Sequence, residues 1–350
     1  MTVLLLTLVA GCRKDNLLPP LDTTKVPRSM GVFIENNYDL SLLHAALKKT
    51  GLLDTLKAGG PFTLFAPDNA AFNGKGIATV ADIENMNTDS LRAMMRYHII
   101  RNRYFISSFP LQMDTKYVTL AGENLYITAD KGNFAAEARN FFVNGAFVQL
   151  ESKRNIALAN GVIHIISRPL EYNAFTVQDY IARDTSLTLF VAAMKRFNLW
   201  DGFKTKNPLT IFAPVNSAFS KYGITAETIA AMNPAAYNPL CFGVYPLSMR
   251  PMHVFSTDGY VLSHTNVFGA GSIILEPYSV SPSYDYNWNG NIETAGVFIN
   301  RRQGIDWIAN PQGAFRLNYW GGRGNADHLC ANGIVHVIDD LIFNPDLMKQ

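Results

Sequence analysis

Two amphipathic stretches, Leu40 to Leu56 and Thr188 to Phe203, carry apolar residues at three- and four-residue spacing. The pattern predicts a helix in each, with Leu43, Leu47, Phe190, Met194 and Phe197 turned to a core. A short β-favouring run follows each stretch and ends at a proline: Phe62 to Ala66 before Pro67, and Leu209 to Ala213 before Pro214. Proline cannot donate to a sheet ladder, so each strand stops there and the chain turns into a helix. Asp68-Asn69 suits the cap of that helix, and Asp68 becomes Val215 in the second copy while Asn69 persists as Asn216. The asparagine is therefore expected to supply the shared cap.

A second apolar pattern recurs farther on. Val162, His164 and Ile166 alternate with Ile163 and Ile165, so both faces of this strand are apolar and it is expected to be buried. Asn160-Gly161 before it, and Asn332-Gly333 in the second copy, are the residue pair preferred where a two-residue hairpin turn needs positive φ. His164 and His336 hold equivalent places, where a hydrogen-bonded core histidine is the expected reading. Between the two patterns, Leu91, Met94, Met95 and His98 have helical spacing and run into a β-branched stretch.

The whole order of elements occurs twice. Phe62-Thr-Leu-Phe-Ala-Pro-Asp-Asn-Ala-Ala-Phe72 returns as Leu209-Thr-Ile-Phe-Ala-Pro-Val-Asn-Ser-Ala-Phe219, and Ala159-Asn-Gly-Val-Ile-His-Ile-Ile166 returns as Ala331-Asn-Gly-Ile-Val-His-Val-Ile338. Helices first, strand second and hairpin last give an α+β class with two tandem domains, over 29–171 and 175–345. The junction around Glu171 to Phe175 is short, so the two are expected to touch. Both segment pairs resemble the signature boxes of the fasciclin domain, an extracellular adhesion and interaction module, over nearly everything after residue 29.

That resemblance implies two fasciclin-like domains, each a twisted β-sandwich or wedge with helices packed around it, and a structural role for the box histidine. Tyr97-His98 matches the family's tyrosine-histidine motif, which is linked to integrin binding in animal members, so both residues are candidate binding residues here. The second domain has Cys241-Phe-Gly-Val-Tyr245 in that place, without a Tyr-His pair.

Composition narrows the setting. The chain has 350 residues, 48% hydrophobic, enough for two cores, and 30 basic against 28 acidic residues with no basic block. Charge therefore gives no sign of nucleic acid. The short apolar run Thr2 to Ala10 leads into Leu8-Val-Ala-Gly-Cys12, which resembles a bacterial lipobox. The expectation is a signal peptide over 1–12, lipid on Cys12, a tether over 13–28 with three prolines, and a place in the bacterial cell envelope, facing the periplasm or the outside. No Lys or Arg precedes the run, which puts the expected start upstream of Met1. Cys241 and Cys330 are a candidate disulfide in an oxidising compartment, with two buried thiols as the other reading.

Asn69 to Asn160 spans 91 positions and Asn216 to Asn332 spans 116, so the second domain has a net insertion of 25, expected within 278–325. Tyr284, Tyr286, Trp288, Trp307, Tyr319 and Trp320 lie there among Asn and Gly, a composition suited to stacking on sugars or to a protein contact. Packing of an enlarged sheet is the plainer reading. Asp285 to Gly296 imitates the first half of a calcium loop, but position twelve is Gly296 instead of a glutamate, so a polar turn is expected and no metal is assigned. Metal-helix, nucleophile-elbow, phosphate-loop and Cys-x-x-Cys patterns do not occur. The sequence thus points away from an enzyme or cofactor and toward a surface interaction protein whose partner is a cell-surface protein or a glycan, with a glycan-capturing lipoprotein of an uptake system as the alternative.

Overall fold

The computed structural model describes residues 27–130, 140–205, 208–237, 242, 252–258 and 325–341, and the backbone of four strands between 273 and 318. Its first half runs α1 (Met30–Glu35), α2 (Ser41–Lys49), α3 (Leu52–Ala58), β1 (Phe62–Pro67), α4 (Asn69–Asn73), α5 (Val80–Asn85), α6 (Thr88–Tyr97) and β2 (Ile99–Arg101). Then come β3 (Thr115–Val118), β4 (Asn124–Asp130), β5 (Asn140–Val143), β6 (Ala146–Phe147), β7 (Ile156–Leu158) and β8 (Gly161–Ile166). The second half repeats the plan with α7 (Val177–Arg183), α8 (Thr188–Arg196), α9 (Gly202–Thr205), β9 (Leu209–Pro214), α10 (Asn216–Ser220) and α11 (Ala226–Ala231). It continues with β10 (Ile273–Leu275), β11 (Tyr278–Tyr286), β12 (Ile292–Arg301), β13 (Ala314–Asn318), β14 (His328–Cys330) and β15 (Gly333–Ile338).

The α+β expectation holds. One sheet of the first domain has the order β2-β1-β8-β7, the other the meander β3-β4-β5-β6. At the centre of the first, β1 and β8 pair in parallel from Phe62↔Gly161 to Pro67↔Ile166, and both are buried throughout. The second domain repeats this with β9 and β15, from Leu209↔Gly333 to Pro214↔Ile338. Alternation along the central strands sorts their side chains. Leu64, Ala66, Ile163 and Ile165 join Leu43, Leu47, Leu56, Leu91 and Met95 under the helices, while Phe65 and Ile166 join Leu125, Ile127, Phe141 and Val143 of the meander. Leu43, Leu47, Phe190, Met194 and Phe197 are buried, as their spacing predicts.

Three local expectations need correction. Each amphipathic stretch is two helices, because Gly51 takes φ 73° between α2 and α3 and Asn198 takes φ 57° after α8. The shared asparagine does not cap its own helix. Asp68 caps α4 by accepting from Ala71 N at 2.9 Å, and Val215 leaves α10 without a side-chain cap. Asn69 instead reaches back to the start of α2, accepting from Leu42 N at 3.0 Å and donating to Tyr38 O at 2.9 Å. Asn216 does the same for α8 through Leu189 N at 2.9 Å and Thr185 O at 3.0 Å. It persists because α2 and α8 begin at leucine N-caps with no capping side chain of their own.

The third correction concerns the turns. The box hairpins turn at Ala159-Asn160 and Ala331-Asn332, with Leu158↔Gly161 and Cys330↔Gly333 as closing pairs, and none of Asn160, Gly161, Asn332 and Gly333 has positive φ. The glycines answer to crowding from the parallel neighbour: a Cβ on Gly161 would stand 2.2 Å from Phe62 O, and one on Gly333 would stand 2.3 Å from Leu209 O. Positive φ at both turn residues occurs at Asn144 (46°) and Gly145 (71°), between β5 and β6.

The described strands of the insertion, β11, β12 and β13, belong to a four-stranded antiparallel sheet ordered β10-β11-β12-β13, whose central ribbon has β11 and β12 of nine and ten residues where β4 and β5 have seven and four. Asp285 pairs with Glu293 and Ser283 with Gly296, so both ends of the calcium-like stretch are strand.

Because the obstacle at Gly161 is backbone, Gly161→Ala should destabilise the first domain by ~2 kcal/mol or more, read as a lower urea midpoint at unchanged m-value. An unchanged midpoint would show that β1 and β8 are not packed this closely.

Candidate functional site

Tyr97 and His98 end α6, where the helix turns into β2, and this position faces both inward. Both are buried, so neither is presented to a ligand as the motif implied. The Tyr97 hydroxyl donates to Asn124 O at 2.7 Å and accepts from Asn144 Nδ2 at 2.8 Å. His98 Nδ1 lies 2.8 Å from Met94 O, and Nε2 accepts from Leu170 N at 2.8 Å. An amide N–H on Nε2 fixes the neutral tautomer that donates from Nδ1. Burial pushes this histidine down to about 4.

The box histidines are bound the opposite way round and identically to each other. Asn155 N donates to His164 Nδ1 at 3.2 Å and His164 Nε2 meets Tyr104 O at 2.9 Å. In the second domain Asp327 N donates to His336 Nδ1 at 3.2 Å and His336 Nε2 meets Val254 O at 3.0 Å. Each ring stacks on the neighbouring strand's phenylalanine, Phe65 or Phe212. Burial holds His164 down to about 4 and also lowers His336. The hydrogen-bonded core reading of these histidines is therefore what the fold shows.

Asn160 and Asn332 are braces of the same kind. Asn160 accepts from Met30 N at 2.7 Å, at the start of α1, and donates to Leu56 O at 2.7 Å and Gly59 O at 2.6 Å, at the end of α3. Asn332 accepts from Val177 N at 2.8 Å and donates to Phe203 O at 2.9 Å. The recurring polar residues of both boxes thus join elements distant in sequence.

Other expected site residues are scattered. Tyr284 and Tyr286 lie on β11. Cys12, Trp288, Trp307, Tyr319, Trp320 and Cys241 lie outside the described residues, as does Tyr245. Cys330 is a buried free thiol, and burial pushes it up to about 12. What the structure does bring together lies between the domains, as the short junction predicts. Arg168 meets Asp327, His253 Nδ1 stands 3.1 Å from Asp114 Oδ1, and Lys75 pairs with Glu171 at 3.1 Å beside them. Lys75, Asn144, Arg168, Glu171 and Asp327 line a cleft there. Sequence reasoning passed over Asn144-Gly145, Arg168 and Asp327, although the repeat carried a signal: Asn155 and Asp327, each nine residues before a box histidine, differ in charge.

Comparison with known proteins agrees with this architecture. The fasciclin domain model matches residues 38–172. Protein sll1483 of Synechocystis is 33% identical over 133 residues, 38% of this chain and 67% of that protein. The chain belongs to the fasciclin-domain family. Human periostin is 30% identical over 197 residues, 56% of this chain and 22% of periostin. The cell surface glycolipoprotein MPB83 of Mycobacterium bovis is 36% identical over 99 residues, 26% of this chain and 41% of that protein. The chain thus spans about a fifth of periostin and about two fifths of MPB83. In this fasciclin pair the signature residues build the fold.

The buried histidines set the pH response. His98, His164 and His328 are held down to about 4 and His336 is also lowered, chiefly by burial, while unfolded histidine titrates near 6.5. Their stabilising effect is whole above pH 6.5 and is lost as pH falls through 4. Asp258 opposes them: burial pushes it up to about 8, so its effect is whole below the unfolded 3.8 and lost as pH rises through 8. Between pH 6.5 and 4.5 the unfolded chain takes up the net excess of protons, each worth about 1.4 kcal/mol per pH unit. Denaturant titrations should show stability falling by several kcal/mol over that window. A flat profile would mean that the core holds protonated histidines.

Proposed function

We propose that this chain is a lipid-anchored interaction protein of the bacterial cell envelope, which makes adhesive or surface contacts through protein or glycan binding. The observation that carries the reading is that the buried box histidines and Tyr-His pair, and the shared asparagines at the edges of the core, are consumed in hydrogen bonds that hold the fold. The box histidines are neutral with both ring nitrogens engaged, which is unsuited to general base work and favours binding over turnover. Binding then falls to surfaces that differ between the copies, and the most divergent of these is the long β11–β12 ribbon. The family's adhesion role and the surface location in the name of MPB83 support this reading. The lipobox-like Leu8 to Cys12 supports the anchor.

The aromatic content of the insertion favours a second reading, capture of a glycan for an uptake system, because rings beside amides match alternating apolar and hydroxyl faces of sugars. A glycan array probed with soluble protein, residues 29–350, with and without calcium, separates the two. Saturable binding weakened tenfold or more by Trp288→Ala or Trp320→Ala is the outcome required for glycan capture; a blank array leaves protein-mediated contact. For the anchor, Cys12→Ser should move the protein from the membrane fraction to the soluble fraction. Retention in the membrane would overturn the lipid assignment.

A further inference from the structure

Asn155 and Asp327 occupy the same place in the two domains. Both take left-handed backbone, φ 57° and 63°, and both donate N–H to a box histidine. Each also accepts a backbone N–H at Oδ1, Asn155 from Ile106 at 2.8 Å and Asp327 from Ser256 at 2.6 Å. An amide side chain is therefore sufficient for the brace within a domain. The carboxylate of the second copy brings a second oxygen and a charge that the brace does not need.

That oxygen is aimed at the first domain. Asp327 Oδ2 accepts from Ser256 Oγ at 2.6 Å and from Arg168 Nη2, and Arg168 Nη2 also donates to Asn144 O at 2.9 Å. The Asp327 side chain is 2% exposed and that of Arg168 26%. The turn beneath them is glycine for two reasons: Gly145 takes φ 71°, and a Cβ there would stand 2.6 Å from Arg168 Nη2 and 2.7 Å from Asp327 Oδ2. Burial alone would raise the Asp327 carboxyl, but the Arg168 guanidinium and the Ser256 hydrogen bonds outweigh it and keep the group charged. Asp258 and Asp114 stand nearby on the same interface. Around this pair the domains share an apolar cluster in which Phe255, Leu329 and Ile334 meet Phe65, Ile166 and Leu170. A second clasp joins Asp114 to both the backbone N–H and the ring of His253.

We propose that Asp327 is an interdomain latch: its carboxylate, gripped by Arg168 over the Asn144-Gly145 turn, locks the two fasciclin domains into one body that moves and unfolds as a unit. The inference concerns the pair's mechanics and does not depend on what the protein binds.

Asp327→Asn tests it, because it installs the side chain the first domain already uses and keeps an Oδ1 acceptor for Ser256 N. Arg168→Gln attacks the latch from the other domain. Calorimetry of the full chain should give one cooperative transition for the unaltered protein and two for each variant, with small-angle scattering showing a larger radius of gyration in each. In a double-mutant cycle the two changes should be non-additive, with coupling equivalent to at least about tenfold in the folding equilibrium. If Asp327→Asn simply unfolds its own domain, Arg168→Gln decides alone, since it leaves that domain's internal bonds untouched. Additive effects, or one transition and an unchanged radius in Arg168→Gln, would overturn the latch.

Discussion

The structure depends on a parallel pair of strands buried on both faces. β1 and β8 lie between a helical layer and a second sheet, and β9 and β15 are likewise buried along their whole length, so no side of them reaches water. An unpaired polar group in such a place is expensive. Proximity of the strands forces glycine at the first position of β8 and β15. The one polar ring on these strands, His164 or His336, is neutral and bonded at both nitrogens. The asparagines at the ends of the same strands then bring the helices to the pair. Asn160 joins α1 to the end of α3, and Asn69 joins α4 to the start of α2. Each brace ties elements that are far apart in sequence, which a hydrophobic contact could do without fixing direction or register.

Legibility in the sequence followed the range of the interaction. Alternation along Val162 to Ile166 disclosed a strand buried on both faces, and the repeated order of patterns disclosed two domains, because both are local or nearly local signals. The role of Asn69 was misread because a capping residue looks the same from the sequence whether it serves its own helix or one 27 residues earlier. Asn160-Gly161 drew attention as a turn pair when its glycine answered to a strand about a hundred residues away, while Asn144-Gly145, the pair with the expected backbone, carried no repeat to mark it. Burial of Tyr97 and His98 could not be seen either, since the groups that enclose them, Asn144 and Leu170, come from later elements.

The two copies diverge where they are free to. Asn155 and Asp327 keep the same backbone and the same bond to a histidine yet differ in charge, and the charged one faces the other domain. The ribbon of β11 and β12 is longer than its counterpart, on a sheet apart from the parallel pair. A repeat of this kind separates what a fold must conserve from what a particular chain has added, using no sequence but its own.

The parallel pairing also sets a problem for the nascent chain. β1 must wait for β8 across roughly a hundred intervening residues, and β9 waits longer still for β15, so the central contacts close late. Meanwhile the strands are near copies: Phe62 to Pro67 would fit beside Gly333 to Ile338 almost as well as beside Gly161 to Ile166. Simultaneous refolding of both halves therefore invites exchange of partners between domains. Synthesis from the N-terminus removes the ambiguity, because β8 is made before β9 exists, and the order of translation chooses between pairings that the side chains scarcely distinguish.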